Sequence, residues 1–293
     1  MIIANPIYDS VFKYLVEDTE SAKTLLSCII GEKVTSLEML PQEQTTHSNR
    51  YLLTVLRVDF KAIVQTETGE TKKILIELQK GKHPLDLTRF RRYLGNNYAR
   101  PDEHGGRKNL ALPLTVIYFL GFELDIKRAC LKISRNYTDM FTGEIIPERD
   151  TFIESLTHDG YVVQIRHLPP TMSSKLEKIL SIFNQRWVMD KDNKLLMKYP
   201  DDTQDPELLR IIHRLATAAA SEEVRDQVAL EEGFELSIEE TLREKEIIIE
   251  ERDREIKEKD NILKEKDSIL KEKEAELAQL RTLLAEINNK KQK

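Results

Sequence analysis

The chain reads as an α/β protein in which a mixed sheet is flanked by helices and is followed by a helical extension and a long coiled coil. Three observations predict this. Apolar and polar residues alternate over 55–79, the period of two that marks a strand. Leu114-Thr115-Val116-Ile117-Tyr118-Phe119-Leu120 is a nearly continuous apolar run of strand length. Leu242, Ile249, Ile256, Leu263, Leu270, Leu277 and Leu284 recur at every seventh residue, the spacing of a left-handed coiled coil. These features divide the chain into an α/β domain over 1–170, a helical extension over 171–236 and a coil over 237–293.

The chain opens on Asn5-Pro6-Ile7-Tyr8-Asp9-Ser10-Val11-Phe12-Lys13, and a helix is expected to run on through Phe12, Leu15 and the Leu25-Leu26 pair. Asp9 stands at its start, where a carboxylate is either an N-cap or an additional metal ligand. From Val55 to Val64 one strand is predicted, with Val58, Phe60, Ala62 and Val64 on the core face and Arg57, Asp59 and Lys61 on the other. A turn follows at Glu67-Thr68-Gly69-Glu70. The next strand then sets Ile74, Ile76 and Leu78 inward and Leu75, Glu77 and Gln79 outward. Glu77 and Gln79 share a face at a separation of roughly 6.6 Å. If the two strands pair antiparallel, Asp59 and Glu77 converge on one hard cation. Mg2+ is the expected ion, with Mn2+ or Ca2+ as alternatives, and Gln79 sits beside the metal and its water.

A helix is expected from Pro84 to about Arg100, burying Leu87, Phe90, Leu94 and Tyr98. Its other side carries Arg89, Arg92, Asn96 and Arg100 at i, i+3, i+7 and i+11, one stripe suited to a phosphate backbone. Lys80 to Lys108 holds eight Lys or Arg against three Asp or Glu, a local net of about +5 in a chain whose total is −6. Such a patch suggests a polyanion partner, the alternative being that the arginines pair with acids elsewhere in the domain. Gly105-Gly106 reads as a turn before the Leu114–Leu120 strand. Farther on, Thr142-Gly143-Glu144 reads as a turn and Tyr161–Ile165 as a strand ending at Pro169-Pro170. Leu176, Ile179, Leu180 and Phe183, then Leu208, Leu209, Ile212 and Leu215 after Pro206, mark core-covering helices, with Trp187 and His213 expected in the same packing.

Asp59 followed by Glu77-Leu78-Gln79, the Asn5–Lys13 opening, the arginine-rich helix and the apolar strand after it together resemble the PD-(D/E)XK nuclease superfamily, in particular the recombination-promoting nuclease (Rpn) family of bacteria. The resemblance covers roughly residues 1 to 125. It implies a restriction-endonuclease-like core and a Mg2+-dependent DNA endonuclease linked to DNA recombination or mobile-element movement. Asp59, Glu77 and Asp9 would be the metal set, and Asp59, Glu77, Gln79 and Lys61 the catalytic set. Lys13 and Lys80 would join Arg89, Arg92, Asn96 and Arg100 in holding DNA. Two positions depart from the family pattern. Val58 stands in place of Pro, and Gln79 in place of the Lys that would carry charge toward the phosphate, since an amide orients water but supplies none. Lys61, Lys13 and Lys80 are the candidate substitutes. The alternative reading is a catalytically inactive nuclease-fold module that binds DNA or assembles through its coil. A pure coiled-coil scaffold leaves the acidic pair and the basic helix unexplained.

In the tail, the residues three positions after the stripe are Lys245, Arg252, Lys259, Lys266 and Lys273, before Leu280 and Ile287 restore an apolar pair. The expectation is a marginal homotypic coil giving a homodimer or higher oligomer, on the order of 75 Å long. The alternative is a solvated single helix held by ion pairs one turn apart. Other classes are disfavoured. Cys28 and Cys130 lie far apart and the six histidines are scattered, so neither a zinc site nor a disulfide framework is expected. There is no glycine-rich nucleotide-binding motif, hence no nucleotide cofactor. With no apolar run of about eighteen residues and no signal pattern, a cytoplasmic protein without a membrane partner is expected.

Overall fold

The structure, a computed structural model, describes residues 1–40, 43–45, 55–57, 60–81, 86–190, 194–200 and 203–291. In chain order the first elements are β1 (Ile2–Ala4), α1 (Asp9–Glu17), α2 (Thr19–Ile30), β2 (Val34–Met39), β3 (Glu43–Thr45), β4 (Val55–Arg57), β5 (Phe60–Thr66), β6 (Thr71–Gln79) and α3 (Asp86–Ala99). They are followed by β7 (Asp102–His104), β8 (Arg107–Leu110), β9 (Leu114–Leu120), β10 (Cys130–Ile133), β11 (Tyr137–Thr138), β12 (Ile145–Ile146), α4 (Thr151–Leu156) and β13 (His158–Gln164). The last are α5 (Lys175–Leu180), β14 (Leu196–Lys198), α6 (Pro206–Ala220) and α7 (Glu222–Lys291). Contacts divide the chain into Met1–Glu231 and Glu232–Lys293.

A six-stranded mixed sheet in the order β10-β13-β9-β6-β5-β2 organises the first unit. β5 and β6 pair antiparallel around the turn at Gly69, whose φ of 84° suits glycine. The chain then passes through α3 and returns as β9, parallel to β6, as a crossover helix allows. One face of this sheet buries Phe60, Ala62, Val64, Ile74, Ile76, Ile117 and Phe119 in the same cluster as residues of α1, α2, α5 and α6. The opposite face carries a smaller cluster in which Leu75, Leu114 and Val116 meet Phe90 and Tyr93 of α3.

Several sequence expectations are corrected. The N-terminal helix is two helices. Asp18 ends α1 and caps α2, its carboxylate accepting from the Ser21 amide at 3.0 Å and hydroxyl at 2.6 Å. The N-cap of α1 is Tyr8, so Asp9 is a first-turn residue and not the cap. The strand expected over Val55–Val64 is divided: β4 pairs with β3, and β5 belongs to the main sheet. Val58 and Asp59 between them lie outside the described residues. The outward face of β6 is covered as well, with Leu75 fully buried and Glu77 5 % exposed, because α3 packs across it. A central strand covered on both sides loses the clean polar face of a one-sided sheet.

The start expected for α3 at Pro84 also lies outside the described residues. Its buried stripe is Phe90, Tyr93 and Asn97, with Leu94 half-buried beside them. This rotated phase leaves Leu87 and Tyr98 exposed, against expectation. Trp187 does pack against the main core, whereas His213 is exposed on α6, turned away from Ile211, Ile212 and Leu215. The C-terminal helix starts at Glu222 and not near 237, since Val224 and Val228 bury themselves in the main core before the seven-residue pattern takes over. No described helix is long and apolar enough to cross a membrane.

Candidate functional site

Glu77 and Gln79 occupy the last positions of β6 on the α3 face, alternating with Leu75. The parallel register sets Glu77 beside Tyr118 and Gln79 beside Leu120 of β9. On the other side, Lys61 of β5 is paired with Leu75. Lys61 is therefore the diagonal neighbour of Glu77 on one face, about 7–8 Å away by sheet geometry.

The electrostatics follow from burial and neighbours. Burial lowers the pKa of the Lys61 ammonium, the charges of Lys73 and Arg100 lower it further, and Asp102 opposes them. Tyr118 is raised well above the usual phenol range, first by burial and then by the charges of Glu77 and Tyr98. Its hydroxyl thus keeps its proton as a donor beside Glu77. The described donors on this face, a carboxylate and an amide oxygen, suit a hard divalent cation.

Past Gln79 the chain is pinned. The Gly121 amide donates to the Gln79 carbonyl at 2.7 Å, and a Cβ at Gly121 would stand 2.4 Å from the Lys80 carbonyl oxygen, so only glycine permits the approach. Lys80 then turns to the α1 side. Its ammonium lies 4.1 Å from the Tyr8 ring centre and pairs with Glu231 at 2.5 Å. The Glu231 carboxylate also accepts from the Asp9 amide at 3.0 Å and from the Ser10 amide and hydroxyl at 3.3 Å, satisfying donors that a helix start leaves open. Asp9 pairs with Lys13, one turn on, through Oδ2, while its buried Oδ1 has no hydrogen-bond partner among the described residues.

The expected residues thus fall into two groups. Glu77, Gln79 and Lys61 share the α3 face, and Asp9, Lys13 and Lys80 gather at the start of α1. Asp59 lies outside the described residues. Among the described residues, no group of three or more His, Cys, Asp or Glu side chains is placed to hold a metal ion. On α3, Arg92 is exposed, Asn96 half-buried and Arg100, just past the helix, exposed; the Arg89 side chain lies outside the described residues. Arg91, which the stripe omitted, is exposed too.

Sequence reasoning missed Tyr118, although its place in the apolar run could have marked it as Glu77's neighbour once a parallel pairing was assumed. It missed Glu231, which no local signal connects to residues 9 and 80. It also missed the buried pair of Lys73 with Asp102 at 2.7 Å and the Tyr98 hydroxyl 2.7 Å from His158 Nδ1, both of which depend on contacts distant in sequence. No protein-family model, curated protein or solved structure matches the chain.

Proposed function

We propose that the protein is a Mg2+-dependent DNA endonuclease of the PD-(D/E)XK type, hydrolysing phosphodiester bonds and linked to recombination or mobile-element movement. The observation that carries this reading is the place of Glu77: a 5 % exposed carboxylate at the end of a central strand, on one face with Gln79 and diagonal to Lys61. The strand, turn, strand, helix, strand order on which the family resemblance rests is present as β5, β6, α3 and β9.

Glu77, with Asp59 by its position in the sequence, would hold the cation, which when bound neutralises phosphate charge and acidifies its water. Gln79 orients that water or a phosphate oxygen through its amide. Of the three lysines considered as substitutes for the missing charge, Lys61 is the one whose strand sets it on the Glu77 face; Lys13 and Lys80 are engaged by Asp9 and Glu231. Lys61 supplies positive charge toward the phosphate, and Arg92 and Arg100 hold the backbone, so binding weakens steeply with salt. Homotypic pairing through 237–293 would set two such sites on one duplex.

The second reading is an inactive nuclease-fold module that binds DNA, favoured by Gln79 at the position of the family's Lys. Cleavage of supercoiled and linear DNA with Mg2+, with EDTA, and by Asp59→Ala and Glu77→Ala separates them. Metal-dependent nicking lost in both variants establishes the nuclease. DNA binding without cutting, unchanged in those variants, establishes the module.

A further inference from the structure

Ile249, Ile256, Leu263, Leu270 and Leu277 of α7 are each more than half exposed among the described residues, so the stripe is an exposed apolar helix face. Ile249, Ile256, Leu263 and Leu270 are each followed three positions later by a base and four positions later by an acid, whereas Leu277 is followed by Leu280 and Arg281. Arg252, Lys259, Lys266 and Lys273 form the first row, and Asp253, Asp260, Asp267 and Glu274 the second. At about 100° per residue these rows lie about 60° to one side of the stripe and about 40° to the other. The face is an apolar line with a wholly basic margin and a wholly acidic one.

We infer that this face takes a second copy of the same chain, and takes it parallel and in register. The inference rests on the homotypic pairing proposed above and fixes its direction. When two identical helices run parallel about a twofold axis between them, the left margin of one meets the right margin of the other. The basic row of each copy then lies along the acidic row of its mate, on both sides of the seam. In the antiparallel arrangement each margin meets its own kind, setting four bases against four bases and four acids against four acids. The apolar line is the same in both, and the charges select between them. Ile248, Ile262 and Ile269, also exposed, widen the line on the basic side, where the methylene stems of the lysines extend the apolar cover.

Charge reversal in the full-length chain tests this. One variant carries Arg252→Glu, Lys259→Glu, Lys266→Glu and Lys273→Glu; the other carries Asp253→Lys, Asp260→Lys, Asp267→Lys and Glu274→Lys. Sedimentation equilibrium at low salt gives the mass, and circular dichroism gives the helix content. The natural chain is expected to be a dimer, each variant alone to associate at least tenfold more weakly, and their equimolar mixture to recover the dimer, since all four facing rows are then complementary. Variants that each pair as well as the natural chain would establish the antiparallel form and overturn the direction alone. A monomeric natural chain, or a mixture that stays monomeric, would overturn the pairing. None of these outcomes bears on the chemistry of Glu77, which DNA cleavage reads separately.

Discussion

On the α1 side of the sheet Phe12, Phe119 and Phe183 pack with ring centres 4.5 to 6.3 Å apart, inside a cluster that draws on four helices. On the α3 side, Leu75, Phe90, Tyr93, Leu114 and Val116 form a small patch interleaved with the buried polar residues Lys73, Glu77 and Asn97. Buried polar groups stabilise nothing unless they find partners, and an unpaired charge costs several kcal/mol. Buried polar residues lie on the α1 side too, among them Ser21 of α2 and Ser181 and Asn184 just past α5, but there they are set in a far larger apolar cluster. The thick face makes the fold, and the thin face carries the candidate chemistry.

The difference predicts unequal costs for the same truncation. Phe119→Ala, at a fully buried ring touching both Phe12 and Phe183, should cost about 3–5 kcal/mol by urea unfolding. Phe90→Ala should cost less, because its ring is 7 % exposed and meets mainly Tyr118 in a smaller cluster that can close over the gap. Equal costs would break the contrast between the faces.

The thin face should be vulnerable through its charges. Lys73 donates to the Asn97 carbonyl at 3.1 Å and pairs with Asp102 at 2.7 Å, the two side chains being 3 % and 9 % exposed. Lys73→Met leaves Asp102 buried without its cation and should cost about 3 kcal/mol. Adding Asp102→Leu should recover most of the loss, since removing both charges removes the unpaired one. A double variant less stable than the single would show that the pair contributes net stability beyond its own burial penalty.

What the sequence could tell follows the same division. β9 was legible to the residue because Leu114–Leu120 is apolar and bounded by Pro113 and Gly121, and the β5–β6 hairpin was legible from alternation and Gly69. The cover over Glu77 was not legible. A helix with one arginine stripe and several aromatic residues can be buried in two rotational phases, and only the packing of Phe90 and Tyr93 on Leu75 chose between them. β1 and β14, three residues each and far apart in the chain, are too short for a period to show. The grouping of Asp9 with Glu231 depends on a contact between positions more than two hundred apart.

At the end of β6, Glu231 joins the start of α1 to Lys80, and it does so on the thick side. Glu231→Ala removes a carboxylate that satisfies two backbone amides and an ammonium, and should lower stability by about 1–2 kcal/mol. Glu231→Gln keeps an acceptor and should lose less. If Lys80 is a structural partner of Glu231 and not the charge that Gln79 lacks, Lys80→Met should lower stability while leaving cleavage per folded molecule near the natural level. Lys61→Met should do the reverse. Loss of cleavage in Lys80→Met with Lys61→Met unaffected would move the catalytic charge to the α1 side.

The smallest expected effect separates the faces by pH. His158, beside Tyr98, has its pKa lowered from the usual 6.5 by burial and then by the Arg135 charge, against the pull of Asp159. The folded state therefore binds a proton less readily than the unfolded chain. Stability should fall as pH drops through about 6.5 and level off below the folded value. Asp18, the cap on the α1 side, is displaced in the other sense for stability. Burial raises its pKa, but the Ser21 hydroxyl and amide, with Arg210 and Arg214, outweigh it and hold the carboxyl below 3.8. Its contribution is complete above 3.8 and is lost only as pH falls through the folded value. Between pH 7.5 and 5, mild acid should thus act on the α3 side while the α2 cap stays intact. The urea midpoint of the natural chain should decline over that range more than that of His158→Gln, and Asp18→Ala should lower both ends of the range equally. Parallel declines for the natural chain and His158→Gln would mean that the acid-sensitive contact lies elsewhere and that the two faces do not titrate apart.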